Sequence, residues 1–221
     1  MQENKEANTE QFILQCAEEV FLERGFDGAK TTEIAKRAGV NHAMIHYYFR
    51  TKRNLFDMVF KSKVELFATS FSDTMTQDLP LFEKLEQAIE HHFDFLAKNP
   101  RLPFFIYSEI VNSDEYKHVF IDAVIEKMIE TIHELEDALA DEHAKGTIRK
   151  MKATELLMNI MAVNVTTFLA YPLLQVLVAR PEDEQEIIEQ RKKSNVEFVL
   201  NSLKLERMQP TYKQTSLDFG F

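Results

Sequence analysis

Between His42 and Arg53 the chain gathers His42, Ala43, Met44, His46, Tyr47, Tyr48, Arg50, Lys52 and Arg53, while Ile45 and Phe49 are apolar and four residues apart. That spacing turns Ile45 and Phe49 to one side of a helix and leaves the polar, aromatic and basic residues on the other. Ammonium groups and phenol hydroxyls hold phosphates and fix register. Short polar or small apolar groups near a helix start reach base edges, and Ala43 is small enough to meet a thymine methyl. Thr31 and Thr32 add hydroxyls at the start of the preceding segment. The chemistry these residues suit is recognition of double-stranded DNA. A surface aromatic cluster on a core helix pair is the plainer alternative; Lys52 and Arg53 beside the aromatics weigh against it.

Two short helices must position these groups. Residues 31–38 form the first, with Ile34, Ala35 and Ala38 on one face. Gly39 supplies the turn, Val40 points inward, and Asn41 is suited to cap the second helix, residues 42–49, because its side chain can accept an orphan N–H. The whole is the pattern of a DNA-binding helix-turn-helix. Charge supports it. Residues 30–53 hold six basic residues against Glu33 alone, a local +5 on a chain whose net charge is −10. A basic patch on an acidic body presents one end to phosphates and turns the rest away. Lys36 and Arg37 read more simply as solvating the first helix.

Catalytic and metal patterns give no positive signal. No nucleophile elbow, glycine-rich phosphate loop or Ser/His/Asp order occurs, so no catalytic residue and no enzyme activity is expected. His91 and His92 are adjacent and point apart on a helix. His133 and Asp137 lack a third ligand at fixed spacing, so no metal and no cofactor is expected. The one cysteine, Cys16, lies in an apolar stripe and reads as a small buried hydrophobe; a single cysteine allows no internal disulfide.

The rest of the chain is helical by pattern. With only 5 Gly and 6 Pro in 221 residues, turn-rich strand folds are disfavoured and an all-α fold is expected. Residues 1–8 form a polar leader expected to lack fixed structure. A first helix runs from Asn8 or Thr9 to Arg24 on the stripe Phe12, Ile13, Cys16, Ala17, Val20 and Phe21, with Gly25 past its end. Further helices are expected at residues 52–75, 80–98, 101–112, 113–143, 152–178 with a bend near Pro172, and 182–206. This gives a DNA-binding domain at 9–52, a larger helical domain at 53–206 for effector binding and dimerisation, and a tail at 207–221. Residues 152–178 are apolar on more than one face, which calls for cover that one monomer lacks at its own edge. A homodimer pairing these last two helices supplies it. MQENKEANTE has no apolar stretch and no apolar run reaches about 18 residues, so the protein is expected in the cytoplasm without a membrane partner.

Phe93, Phe104, Phe105, Tyr107, Met128, Met158, Met161, Phe168 and Tyr171 are candidates to line an apolar pocket, with His92, Glu109, Asn164 and Thr167 as polar anchors. Phe and Met at helical spacing are more often plain core, and that alternative stays open for each residue.

At Ile34-Ala35, Ala38-Gly39-Val40-Asn41-His42-Ala43-Met44-Ile45-His46-Tyr47-Tyr48-Phe49, Lys52 and Leu55 the sequence resembles the TetR family of bacterial transcriptional regulators. The resemblance covers roughly residues 9–60. It implies a nine-helix, Ω-like homodimer: three helices for DNA, and about six for a small-molecule effector and dimerisation. It implies a repressor that binds a palindromic operator and is released by that effector, which the pocket candidates make largely apolar. The remaining alternative is a ligand-independent DNA-binding scaffold or nucleoid-associated protein acting through a protein partner. By position, His42, Ala43, Met44, His46 and Tyr47 would face the major groove, Tyr48 and Lys52 would hold phosphates, and Thr31 and Thr32 would reach the backbone on the other side. Met44 and His46 differ from the hydroxyl and tyrosine usual in the family, so the resemblance names no operator. Lys30 stands where the family usually has a hydroxyl N-cap, and the resemblance implies that Thr31 does that work with a one-residue shift.

Overall fold

The computed structural model describes residues 2–75, 79–170, 172, 173, 176 and 184–205. Among these are nine helices and no strand: α1 (Gln2–Gly28), α2 (Thr31–Arg37), α3 (His42–Phe49), α4 (Lys52–Met75), α5 (Leu81–Lys98), α6 (Leu102–Asn112), α7 (Asp114–Ala144), α8 (Ala153–Leu169) and α9 (Glu184–Leu203). The expected tail at 207–221 and the stretch 177–183 lie outside the described residues.

Helix ends follow local chemistry. Asn41 caps α3 by accepting from the Ala43 N–H at 3.0 Å, and Ser113 caps α7 by accepting from the Tyr116 N–H at 3.4 Å. Gly39 sits at φ +63 with open space around its α-carbon, so conformation and not crowding makes glycine the fitting residue there. Gly25, at φ +67, breaks α1 where the sequence pattern ends the first helix. Residue 8 does not begin α1, however. The helix reaches back to Gln2, because Gln, Glu, Lys and Ala are strong helix formers that extend an existing turn without a cap. Lys30 is the N-cap residue of α2 and offers no capping hydrogen bond; Thr31 is not a cap. The last apolar helix is shorter than its pattern. α8 ends at Leu169, three residues before Pro172, as the restriction on residues preceding proline favours.

The core joins the small N-terminal unit to the body. Phe56 on α4 is fully buried and meets Phe21 at 4.8 Å between ring centroids, Phe26 at 5.0 Å, Tyr116 at 5.4 Å and Phe105 at 5.7 Å. One ring therefore touches α1, α6 and α7. Arg53 reinforces the same joint: it pairs with Asp57 at 3.2 Å and Glu115 at 2.6 Å, and its guanidinium lies over the Tyr116 ring. Tyr116 donates to Asp57 at 2.7 Å. A second cluster, including Leu85, Ile89, Leu135, Leu139, Leu156, Ile160, Val196 and Val199, packs the far ends of α5, α7, α8 and α9.

Candidate nucleic-acid interface and effector cavity

On α3, Ile45 and Phe49 are buried and hold the helix against α1, α2 and α4. The opposite face is open. Tyr47 is 69% exposed, Ala43 and His46 are exposed, and His42, Met44 and Tyr48 are half-buried. Thr31 Oγ1 and His42 Nε2 share a hydrogen bond at 2.9 Å, which ties the start of α2 to the start of α3. His46 Nδ1 donates to the Arg50 carbonyl at 3.0 Å and holds the turn after α3. The Tyr47 and Tyr48 rings meet edge-on at 5.1 Å. Thr32 is exposed on α2. Lys52 lies at the foot of this face, its Nζ 4.5 Å from the Phe26 ring centre and 3.5 Å from the Asp27 carbonyl. The structure thus gathers Thr31, Thr32, His42, Ala43, Met44, His46, Tyr47, Tyr48 and Lys52 on or beside one surface.

The basic patch is smaller than the sequence count suggests. Arg37 is caged by Glu19, Glu23 and Glu33, at 3.6, 2.6 and 3.1 Å, which pulls the Glu23 carboxyl below its ordinary range, the Arg37 hydrogen bond being the main cause. Arg53 is committed to the joint with α7. Lys30, Lys36 and Arg50 meet no carboxylate among the described residues.

The body holds a cavity of about 640 Å³ bounded by α4, α5, α6, α7 and α8. Its wall is apolar, with Phe67, Phe71, Ile106, Phe120, Val124, Met128, Leu157, Met161 and Leu169 among the lining residues, and no acid, lysine or arginine among the described ones. Tyr107 and Met158, the latter 73% exposed, also line it and carry it toward the surface. Of the sequence candidates, His92, Tyr107, Met128, Met158 and Met161 share this wall. The other described candidates do not. Phe93 and Phe168 meet at a tilt, ring centroids 5.1 Å apart, in the core. Phe105 packs on Phe56 and Phe60, and Phe104 is exposed. Glu109 takes a backbone hydrogen bond from Phe26 beside the break in α1, and burial raises its pKa. Asn164 and Thr167 are buried behind the wall, and Tyr171 lies outside the described residues. Helical period gives the inward face of each helix, but not which inward residues meet a neighbour and which meet a gap. The gap is bounded in part by Phe67, Phe71 and Ile132, for which the sequence carries no signal beyond their apolar character.

His92 is 1% exposed and is the polar group of greatest consequence here. Burial pushes its pKa down to about 4, so its ring is neutral at neutral pH. Asn164 Nδ2 bridges the Ile89 carbonyl at 3.0 Å and His92 Nδ1 at 3.2 Å, and Asn164 Oδ1 accepts from Asn195 Nδ2 at 2.9 Å. One network therefore links α5, α8 and α9.

Residues 13–59 match the pattern described as "Bacterial regulatory proteins, tetR family", and residues 82–199 match "Tetracyclin repressor-like, C-terminal domain". The Bacillus subtilis fatty acid metabolism regulator protein is 30% identical over 102 residues, 46% of this chain and 53% of the relative. The Brucella suis HTH-type transcriptional repressor BepR is 43% identical over 53 residues, 24% of this chain and 25% of that protein. The match thus spans about half the length of the first relative and a quarter of the second. In overall shape the chain is similar to the transcriptional regulator FadR from Bacillus subtilis, solved in complex with stearoyl-CoA. The TM-score is 0.62 at 21% identity, over 87% of this chain and 98% of that one.

Proposed function

The chain belongs to the tetR family of bacterial regulatory proteins, and from that premise we propose that it is a cytoplasmic repressor that binds a palindromic operator as a homodimer and is released by a small, largely apolar effector. The observation that carries the DNA half is the uncovered face of α3, where an exposed Tyr47 stands among His42, Ala43 and His46 with Lys52 at its foot. His42, Ala43, Met44, His46 and Tyr47 read base edges in the major groove. Thr31, Thr32, Tyr48 and Lys52 hold phosphates on either side and set register. Residues 9–52 carry this work, 53–206 carry the effector and the dimer seam, and 207–221 are a tail.

Two copies of α3 must sit about one DNA turn apart, ~34 Å, to read two half-sites. Met158 on α8 and Phe198 on α9 are both exposed, 73% and 60%, and uncovered apolar side chains of this size on the last two helices suit pairing with a second copy. The apolar cavity between α4 and α8 supports a long-chain acyl effector. The Bacillus subtilis relative and the stearoyl-CoA complex of FadR point the same way. The effector would favour a spacing of the two α3 helices that no longer fits the operator.

Selection from random duplexes, followed by footprinting, tests the DNA half and should return an inverted repeat. On that operator, Lys52→Ala should weaken binding to every sequence and lower the salt slope by about 1. Tyr47→Ala should instead change preference among sequences. An unchanged slope in Lys52→Ala would remove Lys52 from the phosphate contacts.

A further inference from the structure

Among the described residues of the cavity wall, one buried side chain carries a nitrogen without a hydrogen-bond partner. His92 Nε2 has no hydrogen-bond partner among the described residues. Its protonation follows from its neighbours. Asn164 Nδ2 donates to the Ile89 carbonyl, which can only accept, and Asn164 Oδ1 accepts from Asn195 Nδ2, which also donates to the Val163 carbonyl at 3.1 Å. The Asn164 amide is thereby fixed with its N–H groups toward His92. His92 Nδ1 must accept from it at 3.2 Å and carries no proton. A neutral imidazole then keeps its proton on Nε2, the nitrogen turned away from Asn164. Phe67 and Phe71 stand nearly perpendicular to the ring, with centroids at 5.9 and 6.3 Å. They offer an N–H at most a π face, a weaker partner than oxygen.

We propose that the cavity takes an apolar ligand with an uncharged carbonyl oxygen inside its buried length, and that His92 Nε2–H donates to that oxygen. The inference rests on the cavity being the effector site. It sharpens the effector class by excluding a plain hydrocarbon, which leaves the donor unpaired. It also disfavours a buried carboxylate, because the wall has no lysine or arginine among the described residues to meet it. His92 is a specificity-determining residue in this scheme, and Asn164 and Asn195 position it by fixing its tautomer.

Displacement of an environment-sensitive dye from the full-length protein by 2-dodecanone, dodecane and dodecanoate tests this. The ketone should bind at least about tenfold tighter than the alkane and tighter than the carboxylate. In His92→Leu the ketone and alkane should converge to within about twofold. Nitrogen-15 spectra of the wild-type histidines should report the Nε2-protonated tautomer for His92, and a shift of that proton with 2-dodecanone but not with dodecane. This second readout decides the matter should His92→Leu fail to fold. Equal binding of ketone and alkane, a preference that survives in His92→Leu, dodecanoate binding more tightly than the ketone, or no proton shift would each overturn the donor role and leave the cavity as effector site standing. Failure of all three probes to bind would instead remove the cavity as an apolar effector site, and the donor role with it.

Discussion

Phe56→Ala is expected to lower the free energy of unfolding by about 3–5 kcal/mol, measured as a fall in the urea midpoint. The ring is fully buried, and four aromatic partners on three other segments of the fold surround it within 5.7 Å. Those partners come from either side of the joint: Phe21 and Phe26 from α1, Phe105 and Tyr116 from α6 and α7. They cannot close the space together without separating from their own helices, so most of the cavity would remain. Phe104→Ala is the matched control. Phe104 is 65% exposed one position along α6, and its loss should change stability by no more than about 0.5 kcal/mol. A loss below about 1 kcal/mol for Phe56→Ala would mean that the joint repacks, and that α1 and α7 are not held by one shared core.

The second large effect concerns assembly. Phe198→Glu should convert the protein to a monomer in sedimentation and weaken operator binding by about 100-fold or more. The charge would be placed on a side chain 60% exposed on α9, so the monomer itself loses little packing and should keep its helicity. The DNA effect follows because two linked α3 helices bind the second half-site as an intramolecular event, and separate monomers cannot. A Phe198→Glu protein that remained dimeric and bound the operator normally would put the dimer seam elsewhere.

Much of the fold was legible because short-range chemistry fixes it. Gly39 with Asn41 and the Gly25 break mark helix ends from residues within a turn of one another, and the apolar stripe of α1 names its buried face except at Phe12, which is 50% exposed. What was hidden depends on distance in sequence. Arg37 and Arg53 count equally toward a basic patch. Their carboxylate partners include Glu23, 14 residues away, and Glu115, 62 residues away, and no window over residues 30–53 can reveal either pairing. The cavity was hidden for a related reason. Phe93 and Met161 are both apolar residues on buried stripes, but Phe93 meets Phe168 while Met161 meets open space. Adjacent helices decide that, not the stripe. His92, Asn164 and Asn195 are ordinary polar residues in sequence. Only the packing of α5, α8 and α9 brings them into one network and leaves Nε2 unmet.

In the proposed repressor, a ligand in the cavity behind α4 acts on the open face of α3. The measurement that tests it most directly is anisotropy of a labelled operator, obtained by selection, bound to the wild-type protein and titrated with stearoyl-CoA. The expected result is release of the DNA, with operator affinity falling by about 5–150-fold and ligand affinity falling by the same factor when operator is present. Saturation of the cavity with operator affinity unchanged would contradict the claim and favour a ligand-independent DNA-binding scaffold.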